Sequence, residues 1–267
     1  MAHPVIALLT DFGGRDHYAA TMKGIALGIC PEATLVDISH EVPPHDVVAG
    51  ALELAACYRY FPSGTVFLVV VDPGVGSSRR GIAAEAGEHK FVGPDNGVLS
   101  VVFDETPLKR VVELTERRYA RPTVSRTFEG RDRFAPAAAW LAKGIELSAL
   151  GRPAGPVQRL DLLQPRVERD SIAGEVLRVD RFGNLITNID RKTFERLAST
   201  GDRDALEIQV GPHQVSKVIS TYADASAGEV CALFGSTDHL EIAANGASAA
   251  SQLGLGRGAA VQVTRRA

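Results

Sequence analysis

Val66-Phe67-Leu68-Val69-Val70-Val71-Asp72-Pro73-Gly74-Val75-Gly76 is an apolar run that ends abruptly in an aspartate and a glycine-rich turn. Its β-branched content and short length, with turn residues on both sides, read as a strand over Thr65–Val71 buried on both faces. Working back from it, Pro62-Ser63-Gly64 stops a helix over Val47–Tyr60, and Thr34–Ile38 is a second strand. Before that, Tyr18, Met22, Ile25, Ala26 and Ile29 recur at helical spacing and end at Pro31. Val5–Thr10 is the opening strand, stopped by Asp11-Phe12-Gly13-Gly14. Strand, helix, strand, helix, strand at this spacing predicts a mainly parallel sheet flanked by helices. Beyond it, Gly81–Glu85 and Lys90–Val92 read as shorter strands. One helix is predicted to start near Asn96 and another to run over Arg133–Lys143, with Pro136 in its first turn.

After Leu150 the character changes. Gly151-Arg152-Pro153-Ala154-Gly155-Pro156 and Gln164-Pro165 are turn-rich. Short strands then follow at Gly174–Val179, Leu185–Ile189, Leu206–Val210, Val230–Leu233, Leu240–Ala243 and Ala260–Val263. The expected architecture is an α/β domain over residues 1–158 and a smaller, β-rich, barrel-like domain over 168–267.

Composition removes several function classes. Apolar residues make up 45% of the 267 and charged residues 23%, which excludes disordered and collagen-like chains. A spanning helix needs about 20 apolar residues, far more than any uninterrupted run here, so no membrane segment is expected. Met1-Ala2-His3-Pro4 has no basic leader and Val5–Leu9 is too short for a signal core, which points to the cytoplasm. With 29 Lys+Arg against 32 Asp+Glu and no basic block for a phosphate backbone, nucleic acid is not an expected partner. Cys30, Cys57 and Cys231 form neither a disulfide framework nor a zinc knuckle.

Three familiar patterns fail on context. Asp11-Phe12-Gly13 spells a kinase metal-binding tripeptide but ends the first strand, with no His-Arg-Asp loop before it. His40 and His45 are five apart across two prolines, so they are not a helical zinc pair. Gly254-Leu255-Gly256-Arg257-Gly258-Ala259 leads into a strand instead of opening a helix, which rules out a dinucleotide fingerprint. What remains is a recurring motif, a polar cluster broken by glycine at the end of an element: Asp72–Arg80, Gly93–Gly97, Phe128–Asp132 and Asp180–Asn184. Such clusters suit a small-molecule cleft.

Taken in order, Leu9–Gly13, Met22-Lys23-Gly24, Ser39–Asp46, Val71–Gly76, Gly93–Leu99, Gly130–Pro136, Asp180–Ile189 and Glu241–Ala250 resemble the S-adenosyl-L-methionine (SAM) hydroxide adenosyltransferases, relatives of the SAM-dependent fluorinase and chlorinase. The resemblance implies hydrolysis of SAM to adenosine and L-methionine with no cofactor. It also implies a homotrimer in which each site is shared between the N-terminal domain of one subunit and the C-terminal domain of the next. Carried onto this sequence, it has Asp11 grip the ribose and Asp16 the methionine ammonium, with Asp180 and Ser236 completing the amino-acid pocket. Phe182 and Asn184 fall where the family holds adenine, and Tyr222 is a further stacking residue. The hydrolase branch places an Asp-Arg-His set around the attacking water. Asp72 and Arg79 match its first two positions, and the third is Glu129, a departure from His.

A carboxylate at Asp72 should repel halide and accept hydrogen bonds from water, which favours hydrolysis over halogenation. A SAM or adenosine sensor that keeps the pocket but not the chemistry is the competing class, and a SAM-dependent halogenase is a third reading. With Glu129 beside Asp72 and Arg79, two carboxylates would face one guanidinium, for an expected local charge near −1.

Overall fold

Strand β1 (Val5–Thr10) lies inside a six-stranded sheet, with β2 (Thr34–Ser39) on one side and β3 (Val66–Val70) on the other, both parallel to it. The computed structural model describes residues 3–199 and 206–265. They fall into two compact units, Met1–Asp161 and Leu162–Ala267. In the first unit β4 (Gly81–Ala86), β5 (His89–Pro94) and β6 (Leu108–Glu113) complete the sheet in the order β2-β1-β3-β5-β4-β6. The β3–β5 pair is parallel, but β4 runs antiparallel to both β5 and β6. The sheet is therefore mixed but mainly parallel, as expected, with three parallel pairs over β2-β1-β3-β5 and β4 as the antiparallel exception. The cause is local. Gly87 and Glu88 alone connect β4 to β5, and a two-residue turn can only return the chain antiparallel.

Alternate residues of the central strands supply two cores. Ile6 and Leu8 pack with Met22 and Ala26 of α1 (Tyr18–Ile29) and with α4 (Ala135–Ala142). Ala7 and Leu9 pack with Leu54 of α2 (Val47–Cys57) and Val102 of α3 (Ser100–Glu105). This is the period-two alternation of a strand covered on both faces. Because β1 and β3 run parallel in register, with Thr10 opposite Val70, Asp11 and Asp72 leave the sheet at the same edge. Ligands gather at that carboxyl edge in sheets of this kind.

The second unit holds β7 (Arg166–Val167), β8 (Ser171–Val179), β9 (Leu185–Asp190), β10 (Leu206–Val210), β11 (His213–Val215), β12 (Val230–Phe234), β13 (His239–Ala244) and β14 (Ala260–Arg265). Their order is β11-β10-β14-β8-β9-β13-β12, antiparallel throughout, with β7 on β8. The two ends of this sheet meet. The Ala232 amide donates to the Lys217 carbonyl at 2.9 Å, and the Ile219 amide to the Ala232 carbonyl at 2.9 Å. The result is a nearly closed barrel around Ile172, Leu185, Ile208, Ile242 and Val263. Strands β6, β7 and β11 and helices α5 (Arg191–Ala198) and α6 (Ala249–Leu253) were not expected. Gly254 caps α6 in the left-handed conformation, so the rejected glycine pattern here ends a helix and feeds β14. Among the described residues no helix is long and apolar enough to cross a membrane.

Candidate active site

The turn after β3 brings Asp72 and Arg79 together. Arg79 Nε donates to Asp72 Oδ1 at 2.9 Å and Oδ2 at 3.0 Å, and its Nη2 contacts Oδ2 as well. The same Nη2 lies 2.7 Å from Glu129 Oε2. The three side chains keep only 10% (Arg79), 5% (Asp72) and 12% (Glu129) of their surface in contact with solvent. Burial alone would lower the Arg79 pKa, but the bonds to Asp72 and the charges of both carboxylates outweigh it and hold the guanidinium above its ordinary value. The guanidinium also lies over the Phe134 ring at 5.1 Å.

Close backbone packing locks this geometry. Gly76 has φ +77°, and a Cβ there would stand 2.4 Å from the Arg126 carbonyl, so only glycine fits. Arg126 in turn donates to the Gly76 carbonyl at 3.0 Å, which ties the Asp72 turn to the segment carrying Glu129. Gly130–Phe134 then forms a π-helical turn before α4. Turns of this type are uncommon and often mark functional sites. Glu129 Oε2 is buried and meets Arg79 Nη2 as a close ion pair without a well-aligned hydrogen bond.

Arg80, the neighbouring arginine, turns away to Asp95 (Nε to Oδ2, 2.9 Å) and to the Pro156 carbonyl at 2.6 Å. Asp11 stands at the same sheet edge as Asp72, with Oδ2 accepting from the His45 amide at 2.8 Å. His45 holds φ at +68°, unusual for a residue other than glycine. His40 is engaged at both nitrogens, by Thr10 Oγ1 at 2.8 Å and Asp37 Oδ1 at 3.0 Å, which gives it a structural role. Asp16 is exposed in the loop before α1 and joins none of these contacts. Among the described residues no group of three or more His, Cys, Asp or Glu side chains is arranged to hold a metal ion.

The second unit carries the other half of the expected set in one cleft of about 940 Å³. Asp180, Phe182, Asn184, Tyr222 and Ser236 all line it. Asp180 Oδ1 accepts from the amides of Phe182 and Asn184, both at 2.9 Å, and its Oδ2 accepts from Asn184 Nδ2 at 3.1 Å. Gly183, at φ +84°, has no room for a Cβ against Ser248, so this turn is fixed in one shape. It presents Phe182 76% exposed, an aromatic face without cover in its own unit. Ser236 lies in the turn between β12 and β13.

Two residues absent from the expected set enter here. Glu241, only 5% exposed, sits on the cleft wall and accepts from Tyr222 Oη at 3.1 Å. Burial first, then the Asp180 charge, push its pKa above the ordinary carboxylate value despite the Tyr222 bond. Burial and the Glu241 charge push the Tyr222 phenol up to about 12. Arg133 is the second. Its Nη2 approaches Glu129 Oε1 at 3.9 Å, four residues along the π-helical turn. The cluster thus holds two carboxylates and two guanidiniums, and the expected local charge near −1 is corrected to near neutral. The i,i+4 spacing was visible in the sequence, but a helix predicted to begin at Arg133 left Glu129 outside it.

A family model for the SAM hydroxide adenosyltransferase N-terminal domain matches residues 6–151, and one for the C-terminal domain matches 174–262. The (R)-S-adenosyl-L-methionine hydrolase of Salinispora tropica is 38% identical over 264 residues, 98% of each chain. A fluorinase of Nocardia brasiliensis is 31% identical over 291 residues, 97% of this chain and 96% of its own. The crystal structure of a conserved protein from Thermotoga maritima superposes with a TM-score of 0.92 at 37% identity, covering 97% of this chain and 100% of that one.

Proposed function

The chain belongs to the SAM hydroxide adenosyltransferase family, and on that premise we propose that it hydrolyses SAM to adenosine and L-methionine by attack of water at C5′. The observation that carries this reading is the buried Asp72–Arg79–Glu129 cluster at the carboxyl edge of the sheet. In the step itself, water oxygen forms the bond to C5′ while the C5′–S bond breaks. Its electron pair goes to sulfur, neutralising the sulfonium and releasing methionine as a thioether. Positive charge passes to the attacking oxygen, whose proton leaves for solvent. Prior deprotonation of water by Asp72 is not required and would be costly: reference pKa values near 3.9 and 15.7 differ by about 12 units, or roughly 16 kcal/mol. Asp72 and Glu129 act instead by stabilising charge that grows on oxygen only in the transition state. Arg79 holds both carboxylates in place.

Asp11 would bind the ribose hydroxyls and Asp16 the substrate ammonium. The cleft of the second unit would hold adenine on Phe182 and Tyr222, with Asn184 reading its edge and Asp180 and Ser236 meeting the amino acid. Carboxylates suit diols and an ammonium, and exposed aromatic faces suit a purine. In keeping with the family resemblance, we propose a homotrimer in which each site draws the two sets from neighbouring subunits. The reaction as written needs no metal or organic cofactor, and the enzyme would act in the cytoplasm without nucleic-acid or membrane partners.

Incubation with SAM tests the reading. Adenosine and methionine in equal amounts, formed at the same rate after exhaustive chelation, are expected. A 5′-halo-adenosine would identify a halogenase instead, and SAM bound but intact would identify a sensor.

A second expectation concerns Glu241. Glu241→Ala removes the acceptor for Tyr222 and should raise the KM for SAM by about tenfold, a typical value for one buried hydrogen bond, with little change in kcat. Glu241→Gln keeps the acceptor and should stay near wild type. Because folding raises the Glu241 pKa, its stabilising effect is complete at acid pH and is lost as pH rises through the folded value. Urea melts should therefore show the wild type losing stability relative to Glu241→Gln as pH increases. Equal kcat losses in both variants would refute the positioning role.

A further inference from the structure

On the first unit, away from the Asp72 turn, a cavity of about 540 Å³ opens among Arg117, Arg121, Arg133, Thr115 and Thr123. Its floor includes the buried apolar residues Leu114, Ala137 and Leu150. The chain around it is strongly basic, with six arginines and three acids over residues 116–133. Each acid is already engaged: Glu116 with Arg118 at 3.3 Å, Asp132 with Arg131 at 2.6 Å, and Glu129 with Arg79 at 2.7 Å. Arg121 reaches Asp132 only at 3.4 Å and Arg133 reaches Glu129 only at 3.9 Å. Three guanidiniums thus border one concavity with most of their donors uncommitted.

From this we infer that the cavity is a binding site for a small dianionic oxyanion of the phosphate class. A cleft lined by one sign of charge over apolar walls concentrates the field inside it. Guanidinium forks match the oxygens of a tetrahedral dianion two at a time, and the threonine hydroxyls add neutral donors. A free phosphate and a phosphate monoester share this chemistry. The site also touches the reaction centre through one residue, since an anion that draws Arg133 inward competes with Glu129 for it. The occupant is therefore positioned to alter the charge balance around Asp72.

Calorimetric titration of the whole protein with inorganic phosphate, and separately with ribose 5-phosphate, tests this at constant ionic strength set by sodium chloride. Saturable binding is expected, weakened at least about tenfold in R117Q/R121Q, as loss of charge-assisted hydrogen bonds predicts. The exposed R117E single variant gives the same test without disturbing Asp132. Comparable binding of both probes assigns a free oxyanion, and tighter ribose 5-phosphate binding assigns an organic monoester. No saturable heat with either probe, the same affinity in the variants, or equal binding of chloride overturns the proposal.

Discussion

Asp72→Asn is expected to lower kcat by about a hundredfold or more while leaving the KM for SAM within a few-fold of wild type, the scale seen when one preorganised electrostatic group is removed. Asparagine keeps the size of the side chain but removes the charge and replaces one of the two oxygens that Arg79 now grips. Substrate recognition is assigned to other residues, so binding should survive. The charge that faces the attacking oxygen should not. Glu129→Gln should behave in the same direction with a smaller loss, because Glu129 meets Arg79 through an ion pair without a well-aligned hydrogen bond. Glu129→His, which restores the family residue, should retain activity with a pH profile that titrates near neutrality. Steady-state kinetics decide the matter: a kcat for Asp72→Asn within threefold of wild type would remove Asp72 from the reaction.

Arg79→Met should cost the fold as well as the chemistry. It leaves Asp72 and Glu129 as two nearby carboxylates with little solvent and only the distant Arg133 for compensation. Removing one partner of a buried ion pair costs about 3–5 kcal/mol, and that loss should appear as a lower urea midpoint with an unchanged slope. Turnover should fall to background. The double variant Arg79→Met/Asp72→Asn should recover part of the stability but none of the activity, since it removes the stranded charge without restoring the site. A single variant as stable as wild type would mean that the cluster is solvated and its charges matter little.

How much of this was legible depends on the kind of signal. The strands over 5–10 and 66–70 announce themselves, because a strand buried on both faces must be apolar at nearly every position, while the edge strand over 34–39 is read from Leu35, Val36 and Ile38 alone. The antiparallel edge did not. Leu108–Glu113 mixes Lys109, Arg110 and Glu113 with apolar residues on a partly exposed edge, so its pattern is weak. Helix α5 carries a readable signature, with Asp190 capping at the Thr193 amide and Phe194 and Leu197 on its buried side, but its eight residues lie among short strands whose pattern masks it. Asp72 and Arg79 share one turn, so their spacing revealed them. Arg133 and Glu241 become relevant only through contacts the fold creates, across a π-helical turn in one case and from β13 to Tyr222 in the other. The cleft of the second unit gathered Asp180, Phe182, Asn184, Tyr222 and Ser236 from three separate stretches of chain. Family resemblance had grouped them, where local pattern alone had no means to.

The central claim is that water attacks C5′ and that sulfur is the leaving atom. Turnover of SAM in water enriched with oxygen-18, followed by mass spectrometry of both products, tests it directly. The account predicts one labelled oxygen in adenosine, at the 5′-hydroxyl, and unlabelled L-methionine. Adenosine without the label, or label appearing in a methionine-derived product, would contradict it.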